Sequence, residues 1–442
     1  MFGNRRAIED RNSAPNSEKA QTELINAISL TWGVAGLTAL GVVARPFRWP
    51  EAIWAASGAL LLLLLGLIGW QEAWAGVIRG LDVYLFLIGM MLLSELARRE
   101  GLFDWLAAEA TAHAKGSPIR LFVLVYVVGI VVTVFLSNDA TAVVLTPAVY
   151  AAARAAKVKE PLPYLLICAF IANAASFVLP ISNPANLVIF GGGHMPPLMR
   201  WLGTFALPSA VAIVATFGLL YWTQRSVLAA EIIALDVEQP HLSKSAKLAA
   251  AGLIVTAIVL IAASAVGLDL GLPTFAAGVV TAALIVIVNR ESPAEMLRGI
   301  SWSVLPLVAG LFVIVEALDK TGVTRMLADS LAQGAQAAPS QTAAFAGVAV
   351  AFVSNLVNNL PAGLLAGSAV QLAGSPDKIS GAILIGVDLG PNLSVTGSLA
   401  TILWLNALRR ENQHVGAWQF LKLGIVVMIP ALLLSLLALI LA

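Results

Sequence analysis

Charge is scarce in this chain. Asp, Glu, Lys and Arg make up 12% of its 442 residues, about half of the roughly 25% usual in a soluble domain. Hydrophobic residues make up 59%, which places the chain in a bilayer rather than in water. The net charge of +1 supplies no basic field, and no tract alternates Lys or Arg with aromatics, so nucleic acid is excluded as a partner. With one cysteine, Cys168 in the apolar stretch LPYLLICAFIANAA, neither an internal disulfide nor a thiolate cage can form, and a small buried hydrophobe is expected there. The four histidines, His113, His194, His241 and His414, are scattered without ligand spacing, and neither HExxH nor GxSxG occurs, so no resident metal, cofactor or catalytic set is expected. Gly191-Gly192-Gly193-His194 lacks a following Gly-Lys-Ser/Thr and reads as a loop, not a phosphate cradle. Energy must then come from an ion gradient or a separate ATPase subunit. The first 22 residues are polar, lack the apolar stretch of a signal peptide, and read as a flexible tail.

What the chain does have, it has twice. Gly89, Glu95 and Gly101 recur about 221 residues later as Gly310, Glu316 and Gly322. Phe135-Leu136-Ser137-Asn138 is answered by Phe352-Val353-Ser354-Asn355. Each half then carries a second interrupted apolar segment, PISNPAN from Pro180 to Asn186 and GPNLSVTGS from Gly390 to Ser398. Paired, broken hydrophobic segments in two halves point to a secondary transporter and to its binding site.

Spans of roughly 20 apolar residues are expected near 24 to 44, 52 to 70, 80 to 98, 162 to 190, 202 to 223, 247 to 266, 272 to 289, 303 to 319, 378 to 408 and 417 to 441. The fourth is interrupted around Pro180 and Pro184, and the ninth around Gly390, Pro391 and Gly397, because proline lacks an amide donor and glycine weakens a helix. Segments 119–155 and 342–375 are apolar arms flanking polar tips, either spanning broken helices or hairpins that enter and leave on one side. With hairpins, each half has five spans. One set of alternate loops then holds Arg45, Arg48, Arg98, Arg99, Lys115, Arg120, Arg154, Lys157, Lys159, Arg225, Lys244, Lys247, Arg290, Arg298, Arg409, Arg410 and Lys422. The positive-inside rule makes that set cytoplasmic, with both termini outside. An odd number of spans per half inverts the second copy relative to the first.

The expected organisation is a tail (1–22), a first inverted repeat (23–224), a solvated cytoplasmic linker (225–246) and a second repeat (247–442): an all-α membrane protein with two discontinuous helices. Stretches 102–115 and 324–333 read as surface helices leading into the hairpins. Trp49, Trp70, Trp74, Trp201, Trp222, Trp302 and Trp404 fall near span ends, where an interfacial belt would place them.

The tips concentrate Ser137, Asn138, Asp139, Thr141, Ser354, Asn355, Asn358 and Asn359 where lipid-facing polar groups would cost several kcal/mol. They must face protein, ions or substrate, with helix capping as the plain alternative. Arms beginning after a tip aim amide N–H groups at it, and arms ending there aim carbonyls. Ionisable residues deep in the spans are few. Asp139 at the first tip and Asp388 at the break of the ninth span are the candidates for loading and releasing a proton. Glu95 and Glu316, near Arg98 and Lys320, read as structural ion pairs.

FLSNDATAVVLTPAV (Phe135 to Val149), LPISNPANLVIFG (Leu179 to Gly191), VSNLVNNLPAG (Val353 to Gly363) and GVDLGPNLSVTGSLATILWLNALRRE (Gly386 to Glu411) together resemble the arsenical pump membrane proteins, the bacterial arsenite efflux permeases of the ion transporter superfamily. The likeness covers nearly the whole chain after residue 20. It implies ten spans, two re-entrant hairpins and inverted repeats in the bacterial inner membrane. It also implies export of arsenite and antimonite, hence arsenical resistance, driven by the proton motive force, with some members joined by a soluble arsenite-stimulated ATPase. The resemblance carries the substrate site onto Ser137, Asn138, Thr141, Asn183, Asn186, Ser354, Asn355, Asn358, Asn359, Asn392 and Thr396, with Asp139 first, and Asp388 beside it, for proton coupling. Arsenite near neutral pH is an uncharged trihydroxy acid, so Asn, Ser and Thr can bind it without a basic clamp. The rivals are a Na⁺/H⁺ antiporter or Na⁺-coupled carboxylate carrier of the same superfamily, a membrane enzyme using Asp139 and Asp388, and a channel.

Overall fold

A computed structural model describes residues 6–190, 195–234, 241–290 and 292–442, with backbone alone for 6–20 and 48. The Gly191–His194 loop and the linker residues Asp236 and Glu238 lie outside the described residues. Among those described, the chain is helical without a strand. Among the described residues, seven helices are long and apolar enough to cross a membrane: Gln21–Ala44, Pro118–Phe135, Leu198–Ala230, Lys244–Ala265, Gly271–Asn289, Pro339–Val357 and Ala417–Leu441. Two bent pairs add to them, Trp70–Arg79 with Leu81–Arg99 at 46° and Pro293–Gly299 with Val304–Lys320 at 47°. That the two bends match so closely reflects a repeated order of elements.

The repetition runs on. Leu102–Ala114, Pro118–Phe135 and the arm from Asn138 to Ala155 correspond to Val323–Ala337, Pro339–Val357 and Asn359–Ala373. In each half both arms pack against the helix that precedes them. The motif glycines have separate reasons for recurring. Gly101 (φ +73°) and Gly322 (φ +85°) adopt the left-handed geometry that starts the following helix, where an L side chain would be strained. Gly89 and Gly310 instead admit a neighbouring backbone. Leu81–Arg99 packs on Gly271–Asn289 and Val304–Lys320 packs on Glu51–Leu64. A Cβ on Gly89 would overlap the Thr274 carbonyl, and one on Gly310 would stand 2.6 Å from the Ala55 carbonyl carbon. Small residues that let helices approach closely are how apolar helices associate where water supplies no drive.

Ion pairs sort the chain ends. Arg98 and Glu95 meet at 2.6 Å and Arg99 and Glu295 at 3.4 Å, while Arg79 pairs with Glu316 at 2.9 Å and Lys320 with Glu72 at 2.7 Å. Glu316 therefore answers Arg79 rather than the Lys320 beside it in sequence. Arg200 and Asp377 form a further pair at 2.6 Å. Burial, then the nearby Arg409 charge, lowers the Arg45 guanidinium to about 10.

Several expected boundaries shift. The first helix begins at Arg6, within the stretch expected as a tail. Leu198–Ala230 runs past residue 223, and the linker start is docked: the Glu231 carboxylate accepts from the Lys159 and Glu160 amides at 2.9 and 3.1 Å. Trp49, Trp70, Trp74, Trp222 and Trp302 are exposed, as a belt requires, but Trp201 and Trp404 are wholly buried. Their indole N–H groups donate to the Phe177 and Leu165 carbonyls, at 3.2 and 2.9 Å. A buried indole needs such a partner, so these two brace the interrupted helix 162–190 instead. Cys168 is buried, as expected.

Candidate functional site

The first interrupted helix breaks earlier than its prolines suggest. The first arm, Leu162–Ala174, ends before Pro180 is reached, and Pro184 begins the next helix, Pro184–Phe190. Proline suits the first turn of a helix, whose amides are unpaired in any case, so Pro184 marks a start and not a stop. The second breaks where its glycine and proline were expected to break it: Asp377–Leu389, a tight turn over Gly390–Leu393, then Leu399–Arg410. The tips are equally short. Ser137 accepts from the Ala140 amide at 3.2 Å and caps the arm starting at Asn138. Asn358 stands at φ +76°, ψ 152° while its side chain accepts from the Leu360 amide at 3.3 Å.

That conformation is one glycine adopts freely, and another residue holds it at a cost of about 1–3 kcal/mol. Asn358→Ala is therefore expected to lower the thermal unfolding temperature of the protein in detergent, through loss of the cap with the strain retained. Asn358→Gly should come closer to wild type. Equal losses in the two variants would remove backbone strain from the account.

Four helical arms begin around one cavity of about 20 Å³, room for a water-sized guest. Asn138 and Asp139 line it from the first tip, and Asn183 and Pro184 from the first break. Asn359 and Leu360 line it from the second tip, and Ser398, Leu399 and Ala400 from the second break. Leu87 and Val304, on the two corresponding bent-pair helices, close the apolar side. No Lys or Arg contributes to the lining. Amide N–H groups at helix starts favour oxygen-rich ligands, although the caps Ser137, Asn183, Asn358 and Ser398 each occupy one of those amides. The Asp139 carboxylate is half-buried and has no protein partner among the described residues. The Asn138 Nδ2 and the Asn359 side chain are likewise uncommitted. An acceptor and two amides are thus open to a guest that both gives and takes hydrogen bonds.

The expected site residues divide into groups. Asn138, Asp139, Asn183 and Asn359 meet at the cavity. Asn355 and Thr396 form a second knot: Asn355 Nδ2 donates to the Ala351 and Gly390 carbonyls at 2.8 and 3.0 Å, its Oδ1 accepts from Ser394 at 2.7 Å, and Thr396 donates to its carbonyl at 3.0 Å. Ser137 and Asn358 are caps, Ser354 bonds the Val350 carbonyl of its own helix at 2.9 Å, and Thr141 ties the two arms of the first tip through Thr133 at 2.8 Å. Asp388, Asn186 and Asn392 belong to a buried cluster behind the cavity. Asp388 Oδ1 accepts from Asn183 Nδ2 at 2.8 Å and Oδ2 contacts Ser176 Oγ at 2.7 Å. Asn173 Nδ2 donates to Asn392 Oδ1 at 2.9 Å.

Three contributors were not singled out from the sequence. Asn173 and Ser176 sit three apart, on one face of a helical turn, as polar interruptions of an apolar run, which is a usable signal. Ser398 is the counterpart of Asn183 and opens an Ser-x-x-Thr cap before an apolar helix.

The family follows from comparison. The model of the citrate transporter family, CitMHS, matches residues 39–387, most of the chain. The chain belongs to this family. This citrate transporter family chain is also similar to the arsenical pump membrane protein of Escherichia coli K12, at 27% identity over 87% of this chain and 92% of that one. An uncharacterized transporter of Mycobacterium tuberculosis H37Rv is 25% identical over 84% of this chain and 89% of its own. Among solved structures, the Alcanivorax borkumensis YdaH transporter superposes with a TM-score of 0.52 at 16% identity, covering 84% of this chain and 86% of that one, a likeness of fold alone. The resemblance to the arsenical pump membrane proteins is borne out, and the citrate transporter family chain is a multi-pass membrane transporter.

Proposed function

We propose that this chain exports arsenite and antimonite from the cytoplasm by exchange for inward-moving protons. The observation that carries the reading is a cavity, ringed by helix starts, that presents the unpaired Asp139 carboxylate and no basic side chain. A neutral trihydroxy acid can donate to Asp139 and accept from Asn138 and Asn359, whereas a di- or tricarboxylate would meet a carboxylate with no cation to offset it. Protonating Asp139 removes its charge and turns one of its two acceptor oxygens into a donor, which weakens its hold on the substrate's hydroxyl, so proton and substrate compete for one group, as antiport requires. Asp388 is the second coupling carboxyl.

A cavity of about 20 Å³ is too tight for arsenite, so the cycle needs movement. In this account the two tips and the two interrupted helices travel as a unit against the helices bearing Leu87 and Val304. The halves are inverted repeats, the tips belong to re-entrant hairpins that meet near the midplane, and both termini face outward from the inner membrane. A soluble ATPase is an optional partner. Ser137, Thr141, Asn186, Ser354, Asn355, Asn358, Asn392 and Thr396 hold the site's shape in the closed form and are offered to substrate as the breaks open.

The second reading is a sodium-coupled carboxylate carrier or Na⁺/H⁺ antiporter. The citrate family match and the ring of helix starts favour an anion. Expression in bacteria stripped of arsenic efflux separates the readings. Higher arsenite tolerance with lower cellular arsenic supports export. Unchanged tolerance together with gained uptake of citrate would move the assignment to carboxylate transport.

A further inference from the structure

Asp388 is wholly buried, and its hydrogen bonds fix where protons must be. Ser176 Oγ lies 2.8 Å from the Asn173 carbonyl oxygen and 2.7 Å from Asp388 Oδ2. A backbone carbonyl only accepts, and a hydroxyl has one proton to give. If Ser176 gives it to Asn173, the contact with Asp388 needs a proton from Asp388. If Asp388 were ionised, one of these two short contacts would set two acceptors face to face.

Among the described residues the surroundings leave no other donor. Asn183 Oδ1 accepts from the Ala185 amide at 3.0 Å, so its Nδ2 is what meets Asp388 Oδ1. Asn392 Nδ2 donates to the Phe170 carbonyl at 2.9 Å, so its Oδ1 must take the Asn173 Nδ2 proton. Asn186 Nδ2 is spent on the carbonyls of Ser176, Leu179 and Pro180, at 3.0 to 3.3 Å. Those assignments leave Asn173 Oδ1 and Asn186 Oδ1 buried without a donor. The cluster is rich in acceptors and short of protons. Compensation by charge is missing too. On the described elements packed against Asp377–Leu389, Arg200 pairs with Asp377 of that helix itself, and Arg225 and Lys422 lie exposed over Trp222 and Trp418. Lys378 of the same helix bonds the Ile440 carbonyl, Tyr164 bonds the Pro118 carbonyl, and Cys168 bonds the Tyr164 carbonyl.

We propose that Asp388 holds a proton in this conformation, donates it to Ser176 Oγ, and forms a proton site separate from the cavity that positions Asn183. Asn183 is the link, because one end of its amide reads Asp388 while the other caps the Pro184–Phe190 helix at the cavity wall. When the interrupted helices part and admit water, the Asp388 O–H bond breaks, the proton passes to that water, and the carboxylate takes the Ser176 hydrogen bond away from Asn173. The coupling of this event to transport rests on the proton-driven reading above; the proton on Asp388 does not.

Infrared spectroscopy of the full-length protein in lipid at neutral pH tests it. The wild type should show the carbonyl stretch of a neutral carboxylic acid. Asp388→Asn, which keeps the shape and offers an amide donor to Ser176, should lose that band, while Asp139→Asn retains it. Ser176→Ala, which removes the acceptor, should move it to higher wavenumber and guards against a folding defect in Asp388→Asn. A wild type without a neutral-acid band, or a band that survives Asp388→Asn, overturns the proposal. If the bands behave as expected while no gradient moves arsenite, the substrate reading fails and the Asp388 proton stands. In vesicles, Asp388→Asn should lose proton-driven accumulation, and accumulation equal to wild type would cut Asp388 out of coupling.

Discussion

Asp139→Asn lowers proton-driven arsenite transport by about 10²–10⁴-fold, the range expected when a single proton-transferring group is removed. Asparagine keeps the size of the side chain and can still accept a hydrogen bond, so the cavity stays intact, yet it can neither bind nor release a proton. Because Asp139 has no protein partner to lose, the change should cost little stability. Exchange of labelled against unlabelled arsenite, which needs no net proton movement, should persist in part. Loss of both activities in a folded, monodisperse variant would make Asp139 a binding group alone. Unimpaired accumulation would remove it from coupling.

Asn183→Ala is expected to damage stability and transport together. The variant loses a helix cap, worth about 0.5–2 kcal/mol, and leaves buried Asp388 without one of its two partners, about 1–3 kcal/mol more. It also deletes part of the cavity wall. A large drop in thermal stability with transport close to zero is therefore the expected outcome. Asn183→Asp separates the two contributions. It can still cap the helix but sets a second carboxyl against Asp388, so transport should stay lost while stability recovers in part only if one of the two carboxyls is protonated. Wild-type transport in Asn183→Ala would show that the Asp388 cluster and the cavity are not connected through this side chain.

Much of this architecture was readable in the residues. Composition placed the chain in a bilayer, and the recurrence of Gly89 and Gly101 at Gly310 and Gly322 pointed to the repeated element order, because each glycine answers a backbone demand made in both halves. The polar tips were legible because Ser, Asn and Asp are conspicuous within apolar runs. Which tip residues face the cavity was not. Ser137 and Asn138 are neighbours of the same kind, but one caps a helix and the other lines the cavity, a difference set by backbone angles at the turn. Trp201 and Trp404 look like belt residues in sequence, since nearness to a span end does not reveal which way a side chain points. The Asp388 cluster draws Asn173 and Ser176 from one half and Asp388 and Asn392 from the other, more than 200 residues apart. No local pattern encodes a contact at that separation. Ser398 was legible in principle, as the counterpart of Asn183, through its Ser-x-x-Thr cap before an apolar helix.

The central claim is that a proton gradient alone drives arsenite through this chain. Its most direct test is uptake of labelled arsenite into inside-out vesicles carrying the protein, without ATP, first under an imposed proton gradient and then under a sodium gradient. Uptake that follows the proton gradient, collapses with a protonophore and ignores sodium is the expected result. Uptake driven by sodium, or no arsenite movement under either gradient, would contradict it.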